Sequence, residues 1–217
     1  MMMNLFSVFD PATGILSLNW MSMMFIIIMP LPYWNLHSKP TMLLIMMMKK
    51  LFQEVILHTN KIGPSIVFTS MFALILINNF MGLIPYVFTA SAHLVFSLSL
   101  ALTVWMGLML FGWINKCNSM FCHLVPIGTP SILMPFMVLI ESISNFIRPG
   151  SLAVRLSANM IAGHLLMSLL GNNLSSNLTM MMIMMWLFMG LMVFETAVAF
   201  IQAYVFMTLS TLYSSEI

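Results

Sequence analysis

The first chemical fact of this chain is a guanidinium among apolar residues: Arg155 sits within LAVRLSANMIAGHLL. An arginine does not shed its proton inside a protein, so at membrane depth it needs an anionic partner or a wet cavity. Leaving it in hydrocarbon costs roughly 2.5 to 3.5 kcal/mol on insertion scales. At about 100° per residue, Glu141, Ser144, Asn145, Arg148, Ser151, Arg155 and Asn159 share one helical face, and Ser157, His164 and Ser168 share the opposite one. In a later apolar run Glu195 and Gln202 are seven residues apart and nearly superimposed, with the small Ala199 between them.

Acids and histidines inside membrane helices are the usual parts of proton relays. Each also has a plainer reading. His164 alone suits a helix-packing role, and Arg148 and Glu141 could neutralise one another as a structural pair. Arg155 differs, because Ser151, Leu152, Ala158 and Asn159, one turn to either side, include no carboxylate. Its counter-charge must come from Glu195 across a hairpin or from a separate subunit that faces the stripe.

The surrounding elements follow from composition. Of 217 residues 61% are hydrophobic and 6% charged, which a water-soluble surface does not tolerate; the expected class is all-α, a polytopic membrane protein forming one membrane domain over residues 1–217. An upright spanning helix is expected over 15–34, an interfacial amphipathic helix over 42–58, and a transmembrane hairpin over 64–86 and 94–114. In the interfacial helix Leu43, Leu44, Met47, Leu51 and Val55 make the apolar line. Two long helices, 131–170 and 179–212, follow; 40 residues at about 1.5 Å each reach about 60 Å, twice the hydrocarbon thickness, so a strongly tilted hairpin is expected. Gly171-Asn172-Asn173 should end the first, and Pro149-Gly150 could kink it. Lys39, Lys49, Lys50 and Lys61 crowd one connection, which marks the side of insertion and sets the N-terminus on the other.

Other motifs are quiet. Cys117 and Cys122, with His123 beside the second, match no common zinc spacing and read as ordinary thiols in a loop. The sequons at Asn173 and Asn177 read as a polar loop. No phosphate-binding loop occurs, and the chain is not expected to be an enzyme on its own. No Lys or Arg precedes Lys39, unlike a transit peptide. The 28 methionines point to synthesis inside an animal mitochondrion, where an isoleucine codon is often read as methionine.

The run ESISNFIRPGSLAVRLSANMIAGHLL and the later FETAVAFIQAYVF resemble the a-subunit family (subunit 6) of the F-type rotary ATP synthases, in its animal, arthropod-like mitochondrial form. The resemblance extends through the LFSVFDP start and NNFMGLIPY and covers essentially the whole chain. It implies a proton-translocating stator subunit in the mitochondrial inner membrane, without cofactor or metal and with no nucleic-acid partner. It also implies that Arg155 faces a ring of small helical hairpins, each bearing one carboxylate, between two offset aqueous half-channels. Glu195 and His164 match inlet positions on the intermembrane-space side, and Glu141 matches the matrix outlet. Gln202 and Asn159 lie near the arginine, and Arg148 matches only part of the family. Further expected partners are the peripheral stalk, the other membrane-sector subunits and the bilayer.

Two other classes fit an apolar helical chain. A haem-binding redox subunit needs facing histidine pairs, yet His37, His58, His93 and His123 fall in loops or interfacial segments, leaving only His164 deep. A secondary transporter is expected to show an internal repeat, and none is evident.

Overall fold

The computed structural model describes residues 5–14, 16–28, 38–59, 61–125, 128–174 and 178–216. Among them the regular elements are helices: α1 (Lys39–Thr59), α2 (Ile62–Gly82), α3 (Leu94–Asn115), α4 (Cys117–His123), α5 (Met134–Leu174) and α6 (Leu178–Glu216), with 3-10 helices at Leu5–Phe9, Leu18–Ile28 and Ala90–Ala92. A helix pairs its interior backbone groups within itself, which is what a bilayer interior demands of a spanning segment. Four described stretches are long and apolar enough to cross: Ile62–Gly82, Leu94–Asn115, Met134–Asn172 and Met184–Glu216. The stretch in α5 has the lowest mean hydropathy, 1.3 against 2.2 in α3, because α5 carries both polar lines.

Several boundaries move. The expected helix over 15–34 is wound as 3-10 between Leu18 and Ile28, about 22 Å for eleven residues at about 2.0 Å each; Ile15 and residues 29–34 lie outside the described residues. Trp20 docks this segment on the α2–α3 turn, its ring 5.7 Å from Phe88 and 5.1 Å from His93. In α1 the line turned inward is Met48, Leu51 and Val55, with Leu43 and Met47 exposed. The cysteines lie in α4 rather than a loop, and both are free and exposed. α5 runs through Gly171, Asn172 and Asn173 to Leu174, because one interior glycine costs only about 1 kcal/mol against the cooperativity of a long helix. Asn173 is thus helical, while Asn177 lies outside the described residues. Pro149 is accommodated inside α5, with no break there.

Contacts fix the directions of the helices. Trp105 of α3 lies 5.5 Å from Phe146 of α5, and Gly82, at the end of α2, lies near Met160. Gly163 meets Glu195, and Arg148 meets Glu216. Thus α5 runs parallel to α2 and antiparallel to α3 and α6. The core they share holds Phe68, Phe72 and Ile75 of α2, Ala101 of α3, Leu152, Ala153 and Leu156 of α5, Ala203, Phe206 and Met207 of α6, and Val55 of α1. Ala153 and Ala203 are fully buried. Small residues there let backbones approach closely, the main source of helix association where lipid is as apolar as the core.

The bundle therefore has two distinct ends. At one, α1 leads into α2 beside Lys61, whose Nζ is 4.9 Å from the Phe111 ring centroid, and Lys116 follows α3. This basic end also carries α4 and the start of α5. At the other end lie the turn between α2 and α3, the end of α5 and the start of α6.

Candidate functional site

Glu195 is held at the turn end, only 6% exposed, in the seam between α6 and α5. The seam can hold a carboxylate there because Gly163 presents no side chain: a Cβ at that position would fall inside van der Waals contact of the Glu195 carboxylate. Ala199 and Ala203 continue the same face of α6, both fully buried, and keep the helices close on the core side. His164 follows Gly163 on α5; its ring meets Phe9 edge-on at 6.1 Å, and its buried Nε2 has no protein partner among the described residues.

The same end holds further buried polar groups. Asn79 is fully buried with neither amide atom hydrogen-bonded, and Asn78 Nδ2, Thr89 Oγ1, Ser91 Oγ and His93 Nε2 are likewise unpartnered among the described residues. From the edge-on Phe72–Phe200 pair at 6.1 Å, α2 continues about 9–10 Å to the two asparagines and α6 returns about 7.5 Å to Glu195. The two helices are antiparallel, so Asn78, Asn79 and Glu195 occupy one layer. Leaving such groups dry costs about 1–3 kcal/mol each, and water that bridges several of them removes the cost. Adjacent amides in an otherwise apolar helix were the available sequence signal, and the reading centred on acids and histidines passed over them.

Arg155 occupies the middle of α5 with its side chain on the exposed outer face, while Leu152, Ala153 and Leu156 of the same turn are buried in the core. It makes no ion pair or hydrogen bond with any described residue. Glu195 is therefore not its partner: it lies two turns farther along α5, on the inner face at Gly163. Asn159, one turn from Arg155, is partly buried on the outer side. The α5–α6 register set by Gly163 against Glu195 makes Gln202, itself partly buried, level with Arg155.

Toward the basic end, Arg148 lies 3.6 Å from Glu141, which is the structural pair open from sequence. A nearer acid was not anticipated: Arg148 Nη1 donates to Glu216 Oε2 at 2.6 Å, and its guanidinium stands 5.0 Å from the Tyr213 ring centroid. These groups border a cavity of about 650 Å³, whose wall includes Trp105, Trp113, Glu141, Arg148, Tyr213 and Glu216. Most of that wall is apolar, so the charged groups form a narrow polar strip. Between the two polar regions lies the layer of Phe72, Ile75, Leu156, Ala203 and Phe206, which offers nothing for a proton to bind.

No cluster of three metal-binding side chains exists among the described residues. Ser157, opposite the arginine stripe, is buried and bonds back to the carbonyl oxygens of Ala153 and Val154, and Ser168 bonds back to Leu165. Both have local backbone roles.

Comparison with known proteins agrees with this architecture. Residues 16–215 match the family model described as ATP synthase A chain. Full-length relatives include ATP synthase subunit a of Drosophila simulans, 52% identical, of Anopheles gambiae, 50% identical, and of Locusta migratoria, 53% identical, each alignment covering 100% of both chains. Matched by the family model over residues 16–215 and by relatives about half identical over their full length, this chain belongs to the ATP synthase A chain family.

Proposed function

We propose that this chain is the proton-translocating stator subunit of the membrane sector of a mitochondrial ATP synthase, and that it passes protons to and from carboxylates on a rotating ring. The single observation that carries the reading is Arg155: exposed on the outer face of α5, without a counter-charge among the described residues, between a layer of buried polar groups near one end of the bundle and a cavity bordered by charged groups near the other. A permanent cation in that place calls for a carboxylate from outside the chain. The haem and secondary-transport readings have no comparable observation in their favour.

The basic end supports a matrix-facing assignment, since excess Lys marks the side of insertion. The cavity at Glu141 and Arg148 is then the outlet, and the layer of Asn78, Asn79, His164 and Glu195 is the inlet from the intermembrane space. The contact of Phe9 with His164 supports an N-terminus on the intermembrane-space side. A proton arriving through bridging water binds at Glu195 or His164 and moves to a ring carboxylate; that acid, now neutral, enters lipid. After a turn of the ring the carboxyl comes under the field of Arg155, where the anion is favoured, and its proton leaves by way of Glu141. Arg155 repels a proton that would pass straight between the two regions, while Asn159 and Gln202, at its level, orient it. Arg148 acts on Glu141 rather than on the ring.

Each charge carried across the full potential is worth about 2.3 kcal/mol per 100 mV, which biases the rotation. α5 and α6, 41 and 39 residues long, reach about 60 Å and must lie obliquely to stay within about 30 Å of hydrocarbon. Oblique helices also suit the curved wall of a ring. Nucleotide chemistry resides in other subunits, which makes this chain non-catalytic by itself.

The test is ATP-driven acidification of inner-membrane vesicles containing the assembled complex. Arg155→Ala is expected to abolish it with assembly intact. Normal acidification by that variant would refute the reading.

A further inference from the structure

Arg148 reaches two carboxylates unequally. Its hydrogen bond to Glu216 is 2.6 Å long, whereas Glu141 stands off at 3.6 Å. The first distance is that of a charge-assisted hydrogen bond and the second is too long for one. The Tyr213 ring, on the same last turns of α6 as Glu216, backs the guanidinium at 5.0 Å. All these groups face one cavity, and the other titratable side chain on its wall is His123 of α4. Two residues of α6 thus draw Arg148 away from the acid that shares its own helix.

We propose that Glu216 is a positioning residue for proton release. By accepting the hydrogen bond of Arg148, it keeps the guanidinium from closing on Glu141, whose carboxylate stays free to take a proton and hand it on. This rests on the reading of Glu141 as the outlet acid. The proton passes from a ring carboxyl to the Glu141 carboxylate, leaving the ring anion, and then from the Glu141 carboxyl to a water molecule, which departs as hydronium. Without Glu216 the planar fork of Arg148 turns onto Glu141 in a two-pronged pair. Each hand-over must then break that pair first.

The experiment measures passive proton conduction through the assembled membrane sector in vesicles stripped of the catalytic sector. Glu216 is exposed on the final turn of α6, so replacing it leaves the core intact. Glu216→Gln is expected to slow conduction about threefold, the scale of a partly exposed ion pair, and Glu216→Asp to keep it near the wild-type rate. Adding Arg148→Gln to Glu216→Gln should speed conduction again, because the competing cation is gone; a purely structural latch would not be repaired by removing its second half. Wild-type conduction in Glu216→Gln, or a double variant no faster than the single, overturns the proposal. Either result leaves the underlying reading standing if Arg155→Ala still abolishes coupling; a coupled Arg155→Ala complex would sink that reading instead.

Discussion

Replacing Gly163 by alanine tests the most specific geometric demand of the fold. The added Cβ would collide with the carboxyl carbon and both oxygens of Glu195. Carbon and oxygen regain ordinary contact near 3.5–4.0 Å, so the carboxylate must retreat by more than about 1 Å. Overpacking of this kind costs about 1–3 kcal/mol, toward the lower end where the struck atoms terminate a flexible side chain. Alanine in a helix interior returns about 0.8–1 kcal/mol of propensity, so the chain should still fold and assemble. Function has no such offset. A misplacement of about 1 Å at a reacting group costs on the order of 100-fold, and a retreat that water can partly bridge should cost less, so proton conduction in Gly163→Ala is expected to fall about 10- to 100-fold. Adding Glu195→Asp shortens the acid by one methylene, clears the new methyl and should recover part of the rate. Passive conduction and blue-native electrophoresis of the same membranes give rate and assembly together. An assembled Gly163→Ala complex that conducts at the wild-type rate would show that the carboxylate position in this seam is irrelevant to transport.

Three further outcomes are expected. Arg155→Lys should lose most ATP-driven pumping, because a compact ammonium lacks the planar fork that meets a passing carboxylate; wild-type pumping would refute the geometric part of the argument. Glu195→Gln should slow passive conduction while the complex still assembles, and a complex that fails to assemble would instead mark Glu195 as a packing residue. Asn79→Leu, of similar volume, removes two buried polar atoms and should slow conduction from the intermembrane-space side about tenfold without destabilising the chain, since an apolar isostere relieves unsatisfied groups. Unchanged flux would remove that asparagine from the water path.

The four long apolar helices were legible because hydrocarbon leaves the backbone no alternative to helix, so such runs announce themselves; the spanning helix expected over 15–34 is instead wound as 3-10 between Leu18 and Ile28. The break after Leu174 was placed too early, since Gly171 weakens a helix by less than a long helix's cooperativity resists. Opposite faces of α5 were readable from the 3.6-residue period, and the structure sets Arg155 outward and Ser157 inward accordingly. The apolar line of α1 was legible, but the residues that turn onto the core were not: Met48 packs there while Met47 is exposed, because a weakly amphipathic, Met-rich helix leaves its rotation to its neighbours.

Residue types and their periodicity determined by themselves that this chain is a helical membrane protein whose longest helix carries an arginine with no carboxylate within one turn of it, because a permanent charge in apolar surroundings is informative wherever it is found. Only the tertiary structure decided which groups meet. Counting symmetrically from the α5–α6 connection sets Arg148 level with Tyr204, yet it bonds Glu216, since the path of one long helix across another depends on packing along the whole seam. The same packing turned Glu195 onto Gly163 and away from Arg155. Helical periodicity assigns a face to each side chain, but helix register and crossing belong to the bundle.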